Sequence, residues 1–70
     1  MKSILKIKVI PGAYGLNNEF KFNVQQWHSY DNGRTFVYCG FGRFCRSAEE
    51  VDAYTRQSFT EHAAAQNNAF

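Results

Sequence analysis

QWHSYDNGRTFVYC, residues 26–39, is the stretch on which the reading of this chain turns. At its centre, Asn32-Gly33 supplies the two positive-φ positions of a type I′ turn, the connection that suits the twist of a β-hairpin. With a two-residue loop, Asp31 lies opposite Arg34, Ser29 opposite Phe36, Trp27 opposite Tyr38 and Val24 opposite Phe41. Side chains of a strand alternate between its faces. One face then carries Phe20, Phe22, Val24, His28, Val37, Cys39, Phe41 and Cys45, and reads as core. The other carries Lys21, Trp27, Arg34, Phe36, Tyr38, Phe44 and Arg46, and reads as a contact surface.

Outward from the hairpin, residues 2 to 10 alternate Ser3, Leu5, Ile7 and Val9 with Lys2, Ile4, Lys6 and Lys8. That pattern predicts a half-buried strand with a lysine-rich outer side. Pro11-Gly12 is expected to end it, with a loop from Ala13 to Asn18 and a second strand from about Glu19 to Ser29. The third strand is expected from Arg34 to as far as Arg46, with Gly40 and Gly42 marking a bulge or a close backbone approach. Ser47-Ala48-Glu49-Glu50 matches the S-x-x-E capping box and predicts a helix starting there. Val51, Tyr54, Ser58, His62 and Ala65 fall on one stripe of it, with Phe59 at the edge. Tyr54 and Phe59 are its expected anchors, and Asn67-Asn68 its end, after which the chain is expected to fray. The order β-β-β-α defines an α+β domain spanning residues 1–70, a three-stranded antiparallel sheet with one helix across a single face.

Bulk properties narrow the function classes. A chain of 70 residues, 44% hydrophobic and 17% aromatic, is too apolar to be disordered, yet so small that its core yields only a few kcal/mol. No run approaches the ~18 apolar residues of a membrane span and no signal-peptide pattern opens the chain, so a cytoplasmic protein is expected. Net charge is +2, but residues 1–46 carry four Lys and three Arg against Glu19 and Asp31, a balance of +5, while residues 47–70 carry Arg56 against Glu49, Glu50, Asp52 and Glu61, a balance of −3. A basic sheet beside an acidic helix can orient the domain on an anionic partner.

Catalytic chemistry has little support. Cys39 points coreward, and neither His28 nor His62 has a neighbouring carboxylate at a spacing that would orient it as a base. A zinc site from Cys39, Cys45, His28 and His62 lacks the C-x2-C knuckle. The two cysteines are expected to be free structural thiols, because six strand residues hold them roughly 20 Å apart. No cofactor and no metal are expected, and the chain reads as a non-catalytic binding protein.

Three resemblances bear on what it binds. Gly40-Phe41-Gly42-Arg43-Phe44 resembles the aromatic-glycine strand motif of RNA-recognition and cold-shock domains, whose rings stack on bases. It differs in having Cys39 where a basic residue is usual and Arg43 where an aromatic stands. The three-strand-plus-helix order, with Trp27 and arginines on the free face and Ser-Ala-Glu-Glu-Val opening the helix, is similar to the plant apetala-type and integrase amino-terminal DNA-binding domains. That likeness implies a sheet-face nucleic-acid contact through Trp27, Arg34, Tyr38, Arg43 and Arg46. In size, stand-alone layout and exposed aromatic surface, the chain also resembles the small phage-encoded inhibitors of bacterial defence known as anti-CRISPR proteins. This likeness implies a protein that works in the cytoplasm of a bacterial host by occupying a surface of a Cas effector complex. The residues expected to make contact are Lys21, Trp27, Arg34, Phe36, Tyr38, Arg43, Phe44 and Arg46. The same aromatics would equally serve a homodimer interface.

Overall fold

The computed structural model describes residues 3–67; Lys2, and Asn68 with the residues after it, lie outside them. Three strands, β1 (Ile4–Tyr14), β2 (Phe20–Ser29) and β3 (Val37–Cys45), form one antiparallel sheet in the order β1-β2-β3, followed by helix α1 (Ala48–Asn67). This is the expected β-β-β-α arrangement. β2 is the central strand, so every residue of the sheet is positioned by its pairing with β2.

β1 continues through Pro11 to Tyr14, where the sequence pattern implied a stop at Pro11-Gly12. Proline ends a strand only where its missing N–H is needed in the ladder, and an edge strand can turn that position outward. Pro11 lies opposite Phe22, and the register then shifts before Tyr14 meets Phe20.

The loop between β2 and β3 spans residues 30–36 and is longer than two residues. Asn32 (φ 62°) and Gly33 (φ 89°) do take the positive-φ positions. However, the flanking residues bond to Ser29 and Asp31 instead of pairing across the ribbon. Ser29 Oγ accepts from the Gly33 amide at 2.8 Å and donates to Asp31 Oδ1 at 2.8 Å, and the Asp31 carboxylate takes both the amide and the hydroxyl of Thr35. Those bonds hold the Asp31 carboxyl at about 2, below its ordinary 3.8, with the Thr35 hydroxyl as the largest cause. Asp31–Arg34 and Ser29–Phe36 are therefore not cross-strand pairs.

Trp27–Tyr38 and His28–Val37 pair as the turn implied, but from Gln25 onwards the register slips by two residues, and Val24 faces Arg43 instead of Phe41. The slip is a bulge over Cys39-Gly40-Phe41. Gly40 has φ 85°, and a side chain on Gly42 would place its Cβ 2.3 Å from the Val24 carbonyl oxygen. The two glycines act differently, one through backbone conformation and one through close approach. Phe41, expected in the core, rides on the bulge and is exposed, as is Val37 at the start of the strand.

Helix α1 begins where the capping box placed it. Ser47 Oγ accepts from the Glu50 amide at 3.3 Å, while the Glu50 carboxylate takes the amide of Arg46, one residue before the cap. Its contact with the sheet is mainly polar. Gln26 Nε2 donates to Tyr54 Oη at 3.0 Å and to Ser58 Oγ at 3.3 Å, Ser3 N donates to Gln66 Oε1 at 2.9 Å, and His62 Nε2 donates to the Ser3 carbonyl at 3.0 Å. Tyr54 is an anchor as expected, but Phe59 and Ala65 are exposed, and Gln66 takes the place assigned to Ala65. The reason is rotational: Ser3 before β1 and Gln26 on β2 draw the Tyr54-Ser58-His62-Gln66 stripe inward. Leu5, Val24 and Cys45 are the buried apolar side chains among the described residues, Val24 and Cys45 completely so.

Two sets of substitutions check this geometry. Gly40→Ala is expected to cost about 1–2 kcal/mol from its positive φ alone, and Gly42→Ala more, because backbone must separate from backbone; equal melting temperatures would count against the bulge. Ser47→Ala is expected to lower stability by about 1 kcal/mol, and thermal melts unchanged in both Ser47→Ala and Glu50→Ala would remove the assigned cap.

Candidate functional site

Because α1 covers one side of the sheet, the opposite side is open. Lys6, Trp27 and Tyr38 form one row across the three strands on that side, and Lys8, Gln25 and Gly42 form the next but one, two residues along. The Lys8 ammonium lies 3.7 Å from the centre of the Trp27 ring, and that of Lys6 lies 5.3 Å from the centre of Phe36. Trp27 and Tyr38 rings sit 5.7 Å apart, and the Trp27 indole N–H donates to Gln25 Oε1 at 3.1 Å. Lysine ammoniums over aromatic faces are attracted by the ring quadrupole, which holds cation and ring in a fixed relation.

A second cluster closes the far end of the same side. Phe44 lies opposite Asn23, stacks on Tyr14 at 5.0 Å and meets Phe20 at 5.9 Å. Arg46 covers Phe20 at 4.7 Å and pairs with Glu19 at 3.5 Å. Trp27 and Asn23 are four residues apart on β2, so the two aromatic clusters are separated by about 13 Å at ~3.3 Å per residue.

Of the eight expected contact residues, the structure therefore brings Trp27, Phe36 and Tyr38 together in one cluster, and Phe44 and Arg46 in another. Lys21 is exposed, with its ammonium donating to the Asn18 carbonyl. Arg34 is exposed in the loop before β3. Arg43 is the exception. It lies opposite the fully buried Val24, on the helix side, with its guanidinium 5.7 Å from the Tyr54 ring. Strand alternation puts it there: Arg43 shares the face of Val37, Cys39 and Cys45, and a slip of two residues keeps that parity, changing only its partner to Val24. Lys6, Lys8 and Tyr14 were absent from the expected set; their signal was the lysine alternation of β1, whose position beside Trp27 depends on the β1–β2 register.

The helix side holds the titratable cluster. His28 and His62 rings are 5.4 Å apart and edge-on, His28 Nδ1 lies 3.1 Å from Ser3 Oγ, and Tyr30 stacks on the other side of His28 at 6.1 Å. Desolvation, and then the neighbouring His62, pull His28 below the ordinary histidine value of 6.5. The thiols are free; Cys39 Sγ donates to the Gln26 carbonyl at 3.1 Å, while Cys45 is buried, which pushes its thiol upward. Among the described residues no three of His, Cys, Asp and Glu are grouped to hold a metal ion, no pocket is enclosed, and no helix is long and apolar enough to cross a membrane. No family model matches the chain, and no curated protein or solved structure proves similar to it.

Unfolded His28 binds its proton at about 6.5 and folded His28 only at lower pH, so stability is full above 6.5 and falls as pH drops through 6.5 towards the folded value. Melting temperature is expected to decline over that window, well above the range where Asp31 titrates. His62→Gln should bring the His28 titration midpoint, followed by NMR, back towards 6.5; an unshifted midpoint in the wild type would contradict the assignment.

Proposed function

We propose that this chain is a non-catalytic inhibitor that docks its open sheet face on an acidic surface of a bacterial defence complex, in the way small phage-encoded proteins block Cas effectors. The observation that carries this reading is the Lys6–Lys8–Trp27–Phe36–Tyr38 cluster, a set of aromatic rings under fixed ammonium groups on the side that the helix leaves bare. Trp and Tyr are among the residue types that carry most binding energy at protein interfaces, and the two lysines supply charge complementary to an acidic partner. The Phe44–Tyr14–Phe20 cluster offers a second anchor on the same side. Inhibition then needs no chemistry: a surface that the effector must use for DNA entry or nuclease docking is covered.

The charge balance of +5 over residues 1–46 favours a second reading, a sheet-face nucleic-acid binder. Local geometry weighs against it. Lys8 covers a face of Trp27 where a base would stack, Arg46 is engaged by Glu19, and Arg43 is on the other side.

Capture of partners from a bacterial lysate by the tagged protein, with and without nuclease, separates the two. The inhibitor reading expects a protein partner that survives nuclease treatment. It further expects Trp27→Ala or Tyr38→Ala to weaken that binding by about 2 kcal/mol or more, with a dependence on salt shallower than counterion release from nucleic acid gives. A partner lost with nuclease, and an affinity that falls log-linearly with salt, would replace it with the nucleic-acid reading.

A further inference from the structure

Helix α1 is held to the sheet in two different ways along its length. Its first half keeps Val51, Tyr54, Thr55 and Ser58 from solvent, with Tyr54 and Ser58 both bonded to Gln26 on β2. Beyond Ser58, His62 and Gln66 are the described side chains that are not exposed, and neither is apolar. Both reach the same residue. Ser3, just before β1, donates its amide to Gln66 Oε1 at 2.9 Å and accepts at its carbonyl from His62 Nε2 at 3.0 Å, while its hydroxyl meets His28 Nδ1 at 3.1 Å. The second half of α1 is therefore clasped to the sheet through the polar atoms of one serine.

Two imidazoles meet inside that clasp, with their rings 5.4 Å apart and edge-on. In the sheet His28 lies between Leu5 on β1 and Val37 on β3, and Tyr30, from the loop after β2, stacks on it. The titratable groups that face His28 are thus His62 from α1 and Tyr30. Among the described residues no Cys, Asp or Glu is grouped with the two histidines, and Glu61, beside His62 in sequence, bonds Gln57 on the exposed side of the helix. One proton on the pair leaves the clasp intact, because the charged ring still has its Ser3 oxygen and a neutral neighbour. A second proton sets two cations side by side with no carboxylate to offset them.

We infer that the second half of α1 is an acid-released strap: double protonation of the His28–His62 pair parts the helix from Ser3, while Gln26 keeps the first half on the sheet. Opening is local because the bonds lost are polar and partly exposed, so water replaces them at little cost. Its direction follows from His28, whose affinity for a proton is lowered in the folded chain, first by desolvation and then by His62. Docking is complete above 6.5 and is lost as pH falls through 6.5 towards the folded value. The last turn of α1 carries no basic residue, and a cation near a helix C-terminus is favourable. The freed segment therefore gains from the same proton that the docked pair resists. The strap lies on the opposite side from the Trp27–Tyr38 cluster, and its release does not depend on what that cluster binds.

Nuclear Overhauser contacts in the full chain test it, measured at about pH 7.5 and about pH 5.5, either side of the ordinary histidine value and above that of carboxylates. At the higher pH, contacts of Ser3 with His62 and Gln66 are expected. At the lower pH both are expected to vanish while those of Gln26 with Tyr54 and of Trp27 with Tyr38 persist. His62→Gln keeps a donor for the Ser3 carbonyl but cannot charge, and is expected to hold the Ser3–Gln66 contact at both pH values. His28→Gln removes the charge from the sheet side and carries the same expectation, so misfolding of one variant leaves the other to decide. A Ser3–Gln66 contact that is absent from the wild type at the higher pH, or persists in it at the lower, overturns the inference. So does loss of the Gln26–Tyr54 contact in the same step, which marks parting of the whole helix. Loss of the Ser3–Gln66 contact at the lower pH in either folded variant overturns it as well.

Discussion

Everything on both faces of this sheet depends on the approach of Gly42 to the Val24 carbonyl, where even a methyl group would stand 2.3 Å from the oxygen. β2 runs between two neighbours, and its pairing with β3 starts at His28–Val37 in the register set by the turn. Over Cys39, Gly40 and Phe41 the third strand takes up surplus length, and it rejoins β2 only because Gly42 has no side chain to hold it away. That rejoining decides that Arg43 meets Val24, that Phe44 meets Asn23, and that Phe41 belongs to neither ladder, while alternation, which a slip of two residues preserves, sets the face of each. A different residue at position 42 would force strand separation, and a different residue at 40 would resist the positive φ that starts the bulge.

The helix side shows how a chain with a sparse core holds two layers together. With Leu5, Val24 and Cys45 as the buried apolar groups among the described residues, much of the contact falls to hydrogen bonds from Gln26, Ser3 and His62, each worth about 1 kcal/mol net. Such bonds orient strongly because each needs one donor aimed at one acceptor. They fix the rotation of α1 and turn Phe59 out to solvent. The same polar interface brings two imidazoles together, which ties cohesion of the layers to pH.

On the other side, the lysines of β1 and the aromatics of β2 and β3 combine into a surface that neither element would make alone. Lys8 sits over Trp27 because β1 pairs with β2 in a register that sets Lys6 opposite Trp27, two residues away. The surface is apolar in area and positive in charge, suited to an acidic partner that can also bury rings.

Much of this architecture was legible in the residues themselves, and for local reasons. Asn32-Gly33 specifies positive φ without help from elsewhere, alternation specifies strands, and Ser47 with Glu50 specifies a helix start, since each of these is a property of a few neighbouring residues. The Trp27–Tyr38 pair follows from the turn, and with it the centre of the open aromatic face. The limits were set where distant groups compete. Asp31 and Ser29 drew the loop residues away from the ladder, the extra length in β3 was absorbed at glycines whose role depends on a strand 18 residues away in sequence, between Val24 and Gly42, and an edge position allowed Pro11 to remain in β1. Phe41 took its place from the bulge, and Phe59 from the polar contacts that set the rotation of α1. Periodicity still assigns Arg43, Phe44 and Cys45 to their faces, because a slip of two residues keeps parity, but the partner each meets past the bulge is fixed by which backbones can approach, a property of the assembled sheet.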